Sequence, residues 1–494
     1  MKIILINLKT KNDHAFLNLG VLYIAAALRD AGHEIKLIDL VRYSESEINL
    51  LEIIKNFQPD LITFSGIITA YYQVERLSKI LKNNFPEIPL LLGGSVGVSA
   101  LKIIQAYTPI DFICAGEGEE TVIKLLKEMR GNKNWELVPN IYYRQGKVFK
   151  ASQQQSAYIE NIDTISFPAY DLVDMEFYIQ YATKIFRQEM ADGKVSPRII
   201  TMIFTRGCPF SCTFCFRLIR KWRHHSIEYI LRHLKYLKEQ FHITGVSLYD
   251  ELVFVDRTWF IALCEALSTS GLGLTFSCGG GKPSLVTEDV IIAMKKADFK
   301  RIGYGTESGS PKMLKLMKKE VTLEDNKRAL ELTLKHGMIS RTNILFGHFG
   351  ENKATVRETF KFLEYLYDLQ EQYGMTEDQF QVWFATAYPG SPMYDQAIAE
   401  GLIKDERDYL LKVTSQDKYL VNLSEFRSAA YLRNFVYRGL HGLEIKKLLR
   451  SKRYGAIWGK LRSILFLYLA YYGSLGQFAS FGDMIQSFKN RPGQ

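Results

Sequence analysis

Apolar positions in residues 1–119 come in short bursts separated by longer amphipathic stretches. Residues 2–8, 34–40, 61–65, 90–92 and 112–115 are apolar runs of strand length. Between them, residues 20–31, 50–57 and 72–83 place apolar side chains at three- and four-residue intervals, the period of a helix with one buried face. This alternation predicts a parallel, doubly wound α/β sheet, whose ligands sit in the crevice at the carboxyl ends of the strands. The residues there are small: Ser65-Gly66, Gly93-Gly94-Ser95 and Gly116-Glu117-Gly118-Glu119. They leave room for a large flat or phosphate-bearing ligand. No G-x-G-x-x-G follows the first strand, so the dinucleotide fingerprint is missing.

The rhythm resumes past residue 196. Strand-like runs at 199–205, 245–249, 274–278, 301–305, 342–347 and 380–387 alternate with helical patterns at 227–241, 259–270, 288–297, 323–336 and 353–367. Six strands with helices between them predict a partial (β/α)6 barrel of the TIM type, with reactive groups at the C-terminal strand ends. Between the two alternating regions, residues 140–144 and 147–150 flank Gln145-Gly146 and read as a hairpin. The expected division is 1–135 for the first, Rossmann-like domain, 136–195 for a linker with the hairpin, 196–402 for the barrel and 403–494 for a basic, mostly helical region.

Three cysteines, Cys208, Cys212 and Cys215, fall in the run RGCPFSCTFC with the spacing Cys-x3-Cys-x2-Cys. Three thiolates this close can hold three irons of a [4Fe-4S] cubane and leave the fourth iron open to a substrate or cofactor. The alternative is a Cys3His zinc site that draws on His224 or His225. A disulfide framework is disfavoured: six cysteines in 494 residues are sparse, and no secretory signal precedes them.

The cysteine loop follows an apolar strand and carries an aromatic, Phe214, before its last cysteine. In this it resembles the radical SAM superfamily. With the glycine-rich N-terminal domain it is similar to the cobalamin-binding branch, over residues 1–402. The resemblance implies a [4Fe-4S] cluster, S-adenosyl-L-methionine (SAM) and cobalamin as cofactors. SAM would bind by its amino acid moiety at the open iron. Asp250 and Glu251 match the position that receives its ammonium, Glu307 in the run GTESG matches the ribose motif, and Ser308 would assist at the carboxylate. Lys282 stands where relatives often carry Arg. Asn343 and the turn Phe346-Gly347-His348 lie where the fifth-strand motif contacts adenine. Ser65, Gly66, Gly93, Gly94, Ser95, Gly116 and Glu117 would accommodate the nucleotide tail of cobalamin. The Asp-x-His-x-x-Gly loop that supplies a lower cobalt ligand in many cobalamin enzymes is absent; Asp13-His14 has the wrong spacing. Residues 167–171 resemble the segment that joins the two cofactor domains.

The activity implied is reductive cleavage of SAM to a 5′-deoxyadenosyl radical and cobalamin-dependent methylation of an unactivated carbon. Oxidative cyclisation or rearrangement without methyl transfer is the alternative within enzymes. A non-catalytic iron–sulfur or cobalamin carrier is the alternative of another class. A methylthiotransferase is disfavoured, because nothing supplies a second three-cysteine cluster in the N-terminal domain. Expected partners are a small-molecule, lipophilic substrate and a low-potential electron donor such as flavodoxin or ferredoxin, without nucleic acid.

Charge adds one feature. The net charge is +10, and residues 431–494 carry eleven Lys and Arg against Glu444 and Asp483. Aromatic residues interleave with them, from Tyr431 and Phe435 to Trp458 and Tyr472, and a short apolar stretch covers 464–472. The region is expected to cap the barrel and is a candidate for peripheral membrane contact. No apolar run reaches the roughly 20 residues of a membrane span, and free cysteines point to a reducing cytoplasm.

Overall fold

The computed structural model describes residues 1–10, 15–45, 48–155, 158–190, 197–375, 380–413 and 421–450. Two parallel sheets organise it. The first contains β1 (Lys2–Asn7), β2 (Glu34–Asp39), β3 (Leu61–Ser65), β4 (Leu90–Gly93), β5 (Phe112–Cys114), β6 (Ile141–Gln145) and β7 (Val148–Ala151). The second contains β8 (Ile199–Met202), β11 (Gly245–Leu248), β12 (Thr275–Gly281), β13 (Phe299–Glu307), β14 (Ile339–Phe346) and β15 (Phe380–Phe384). A two-stranded ribbon, β9 (Thr205–Arg206) with β10 (Arg223–His224), stands apart from both.

The first sheet runs β2-β1-β3-β4-β5-β6-β7. Strands β1 to β5 are parallel, as the doubly wound pattern requires. Parallel strands covered on both faces need apolar residues at successive positions, and β1 supplies them. Ile3 and Leu5 point into a core shared with the barrel, and Ile4 and Ile6 into a second core on the far face. The hairpin β6–β7 joins this sheet antiparallel to β5. Residues 141–151 thus extend the first domain, where the sequence placed them in a linker.

The second sheet runs β15-β14-β13-β12-β11-β8, all parallel, as an open half-barrel. The strand read over residues 274–278 continues through three glycines to Gly281. A Cβ on Gly281 would lie 2.8 Å from the Gly303 carbonyl oxygen, so glycine permits β12 to run that close to β13.

The segment between the sheets fastens them together. Ala169 donates its N–H to Leu22 O (3.1 Å). The Tyr170 hydroxyl lies 3.0 Å from His233 Nε2, and the Phe167 ring stacks on His233 at 4.2 Å. This wedge ties helix Leu19–Asp30 of the first domain to helix Ile227–Phe241 of the barrel. Helix Met175–Met190, unread in the sequence, packs on β8, β12 and β13. From it the Tyr178 hydroxyl donates to Asp39 at the end of β2 (2.7 Å).

Beyond the barrel come helices Pro392–Ala399, Glu406–Lys412 and Ala429–Arg450, in keeping with a helical C-terminal region. The middle one returns to the first domain: Leu410 enters its far core, and Arg407 pairs with buried Glu75 on helix Tyr71–Asn84. Among the described residues no helix is long and apolar enough to cross a membrane. His14 and everything read from residues 451–494 lie outside the described residues.

Burial pushes the Glu75 carboxyl up, but hydrogen bonds from Arg407, Lys79 and Tyr71 prevail and hold it at about 2, against an ordinary 4.5. A carboxylate held below its unfolded pKa stabilises the fold above that value and loses the effect as pH falls through the folded one. Glu75→Gln should therefore be less stable than wild type at neutral pH. The gap should close between pH 4.5 and about 2, which thermal unfolding at stepped pH would measure.

Candidate active site

The three cysteines sit on a loop closed at its neck by the ribbon, where Arg206 on β9 pairs with Arg223 on β10. Gly207 adopts φ +86°, and a Cβ there would lie 2.2 Å from Lys221 O, so only glycine allows the loop to leave the ribbon at this point. The loop is held from several sides. Cys208 N–H donates to Ile219 O (3.3 Å), Thr213 N–H to Met317 O (3.0 Å), and Met393 N–H to Thr213 O (2.9 Å). The Thr213 hydroxyl lies 2.8 Å from His348 Nε2.

All six cysteines are free thiols. Burial pushes Cys208 up and Cys215 to about 11. Thiols in such a place stay protonated unless a metal takes the sulfur, which removes the proton outright. Among the described residues no three His, Cys, Asp or Glu side chains converge to hold a metal ion; a cubane asks instead for spaced thiols, each on its own iron. Both histidines of the zinc alternative are engaged elsewhere. His224 packs on Trp259 (4.4 Å between ring centres), and buried His225 pairs with Asp163 (2.9 Å) and stacks on Tyr229.

The predicted SAM contacts gather at the strand ends around this loop, with unequal freedom. Asp250 is buried. Its Oδ1 accepts from Phe204 N (2.8 Å), Thr205 N (2.5 Å) and Thr205 Oγ1 (2.7 Å), while Oδ2 has no hydrogen-bond partner. Burial raises its carboxyl to about 6. Asp250 therefore anchors the strand that leads into the loop and keeps one oxygen in reserve. Glu251 is exposed beside it, and the surrounding protein pushes it to about 7 against the pull of Arg217.

Glu307 ends β13 with φ +59°, a left-handed conformation rare for a non-glycine residue, and pairs with part-buried Lys319 (2.8 Å). Gly305 makes this possible: a Cβ there would lie 2.6 Å from both Glu307 Oε1 and Lys319 Nζ. Lys282 is buried, its Nζ without a hydrogen-bond partner and 3.0 Å from the Phe210 ring centre. Asn343 accepts from Trp383 Nε1 (3.0 Å) and donates to Tyr304 O (3.3 Å). Ser308 departs from expectation. It is fully buried, its hydroxyl bonded to Thr359 Oγ1 (3.0 Å) and Ser310 N (3.1 Å), so it stabilises its own turn.

In the first domain, the turns after β3 and β4 meet backbone to backbone: Gly94 adopts φ +78°, and a Cβ there would lie 2.3 Å from Gly66 O. Ser65, Gly66, Gly93, Gly94 and Ser95 thus share one rim of the crevice. Gly116 fits under Asn140, whose Nδ2 would lie 2.7 Å from an added Cβ. Glu117 departs from expectation. Its carboxylate meets Arg206 (3.0 Å) and Arg223 (2.8 Å) and accepts from Ile159 N (2.7 Å), while Arg206 also pairs with Glu119 (2.8 Å). These oxygens are bonded to the ribbon arginines and to Ile159 N, so the carboxylate serves the domain contact.

Sequence reasoning missed Arg206, Arg223, Glu119 and Lys319. The two arginines flank the cysteine loop in RGC and KWR, but nothing local says that they meet a turn about 90 and 106 residues upstream. Lys319 follows Glu307 by 12 residues without a periodic or motif cue.

A family model described as Radical SAM superfamily matches residues 202–363, and one described as B12 binding domain matches residues 5–126. An uncharacterized methyltransferase of Pyrococcus horikoshii is 27% identical over 390 residues, 78% of this chain and 79% of the relative. The anaerobic magnesium-protoporphyrin IX monomethyl ester cyclase of Rubrivivax gelatinosus is 27% identical over 351 residues, 69% of this chain but only 60% of the cyclase. Among solved structures, the cobalamin-dependent S-adenosylmethionine radical enzyme OxsB with aqua-cobalamin bound aligns at TM-score 0.69, covering 99% of this chain and 75% of that one at 18% identity. At that identity the likeness establishes the fold.

Glu117→Ala would leave buried Arg223 without a carboxylate. Breaking a buried pair from one side costs about 3–5 kcal/mol. Denaturant unfolding of the protein without cofactors should show a loss of that order, whereas Glu120→Ala, on the exposed side of the same helix, should be near neutral.

Proposed function

The chain belongs to the radical SAM proteins that carry an N-terminal B12-binding domain, and from that premise we propose that it is a cobalamin-dependent C-methyltransferase acting on a small molecule. When bound, the cluster and SAM supply a radical that removes hydrogen from carbon, and cobalamin supplies a methyl carrier. The residues present fit these groups. Three free thiols share one loop, Asp250 Oδ2 and Lys282 Nζ are buried without hydrogen-bond partners, and glycines clear the rim of the first crevice.

The protein's part is placement. In this reading, exposed Glu251 and the spare oxygen of Asp250 receive the SAM ammonium, Glu307 the ribose diol, and Lys282 the SAM carboxylate. Asn343, fixed by Trp383 and Tyr304 O, lines the adenine side. The observation that carries the reading is the contact of Glu117 and Glu119 with Arg206 and Arg223. It joins the B12-binding domain to the neck of the cysteine loop, which supports a reading in which both cofactors act on one substrate. A low-potential flavodoxin or ferredoxin would deliver electrons.

Cyclisation without methyl transfer is the second reading, favoured by the cyclase relative. Incubation of the anaerobically reconstituted protein with deuterated-methyl SAM separates the two: methyl transfer places the label in product, and unlabelled product rejects it. Replacement of Cys208, Cys212 or Cys215 by Ala should abolish 5′-deoxyadenosine formation from SAM and reductant. Wild type that forms none would instead support a carrier.

A further inference from the structure

Two lysines stand on the two phenylalanines interleaved with the cysteines. Phe210 lies between Cys208 and Cys212, and Lys282 Nζ sits 3.0 Å from its ring centre. Phe214 lies between Cys212 and Cys215, and Lys319 Nζ sits 5.7 Å from its ring centre. The lysines come from different places, Lys282 directly after β12 and Lys319 from the turn after helix Pro311–Leu316. That turn holds Lys318 at φ +49° and Glu320 at φ +54°, left-handed conformations that cost free energy in non-glycine residues. It is also the segment whose Met317 carbonyl accepts from Thr213 in the cysteine loop. Backbone strain, a part-buried cation and the cysteine loop therefore coincide.

A buried ammonium carries a desolvation penalty unless something compensates it. Lys319 has Glu307 as a partner. Lys282 has no hydrogen-bond partner, and the strongest counter-charge acting on it is Glu320, with the cysteines next once their sulfurs are ionised. Burial pulls Lys282 down to about 8, which leaves it charged at neutral pH. Burial pulls Lys319 the same way, but Glu307 and then Cys212 overcome it and its pKa is raised.

We propose that Lys282 and Lys319 are the charge partners of the iron–sulfur cluster, two positioning residues that offset its thiolates and raise its reduction potential. The inference rests on the cluster reading above. One-electron reduction adds a negative charge to the cluster, and a cation in a low-dielectric surrounding favours that state. The seat on Phe210 and Phe214 fixes each ammonium against the loop without a bond to sulfur. Glu307 opposes the effect, because its carboxylate draws on the charge of Lys319.

The test is a potentiometric titration of the reconstituted protein with a chemical reductant, followed by electron paramagnetic resonance, first without SAM. Lys282→Met and Lys319→Met should each move the midpoint to more negative potential, and the double variant further. Lys282→Arg and Lys319→Arg should return it toward wild type. Glu307→Gln should move it the opposite way, a sign reversal that a packing role would not produce. Iron and sulfide analysis accompanies each variant. If both Met variants hold a full cluster at the wild-type midpoint, the proposal is overturned. If they lose the cluster while the Arg variants keep it, charge compensation is supported; loss in the Arg variants as well overturns it. A wild-type protein that holds no cluster, or that keeps one after all three cysteines are changed to Ala, rejects the cluster reading itself.

Discussion

The structure turns on a buried meeting of four charges. Glu117 and Glu119, at the end of the first sheet, face Arg206 and Arg223 on the ribbon that closes the cysteine loop. Both carboxylates and Arg223 are almost entirely buried, and Arg206 nearly so. In such surroundings an unpaired charge is costly, so each member requires the others. Burial alone would push Glu117 up; the hydrogen bond from Arg223 and the charge of Arg206 reverse that and hold it ionised. The Arg206 guanidinium also lies over the Tyr23 ring (4.8 Å), which brings helix Leu19–Asp30 into the same arrangement. The geometry of the cysteine loop is thereby set from outside the barrel that carries it.

Other contacts repeat the constraint at a distance. Phe167 and Tyr170 fix the two domains through His233, Tyr178 reaches Asp39, and Arg407 returns the C-terminal region to Glu75. Between them runs one apolar core in which Ile3 and Tyr23 of the first domain join Ile200, Phe276 and Phe346 of the barrel. Association through separate ion pairs alone would leave the domains free to rock, since each exposed pair contributes little. The shared core is what makes the buried charges a fixed geometry. A two-cofactor site needs that rigidity, because misplacement of reacting groups by about 1 Å costs on the order of 10²-fold in rate.

The strands of both sheets and most of their helices were legible because each carries its own period. β1 announces itself by an apolar run, and helix Leu323–Lys335 by its helical spacing. The hairpin β6–β7 was legible as a hairpin but not as part of a sheet, since its partner β5 is fixed by tertiary packing. Helix Met175–Met190 was not read, because the segment around it mixes loops, short turns and an unfamiliar join. At the site, the candidates that sequence reasoning named, the cysteines, Asp250, Glu251 and Glu307, are those carried by local motifs. Those defined by partners far away were missed, as with Arg206 and Lys319. Glu117 and Ser308 were assigned to cofactors from motif position alone. Only coordinates reveal that their oxygens are already occupied.

That distinction between spoken-for and unspoken-for polar atoms separates scaffold from site in this protein. Glu117 and Ser308 lie inside glycine-rich or small-residue motifs, yet every bond they form is to the protein itself. Asp250 is divided, with one oxygen holding three donors and the other holding none. Lys282 is the extreme, a buried ammonium with no hydrogen-bond acceptor at all. The Phe210 ring and the charge of Glu320 compensate it only in part, and a buried cation without a bonded counter-ion opposes folding. On the reading proposed above, a cluster bound at the cysteine loop would supply the compensating charge that the chain itself gives Lys282 only in part.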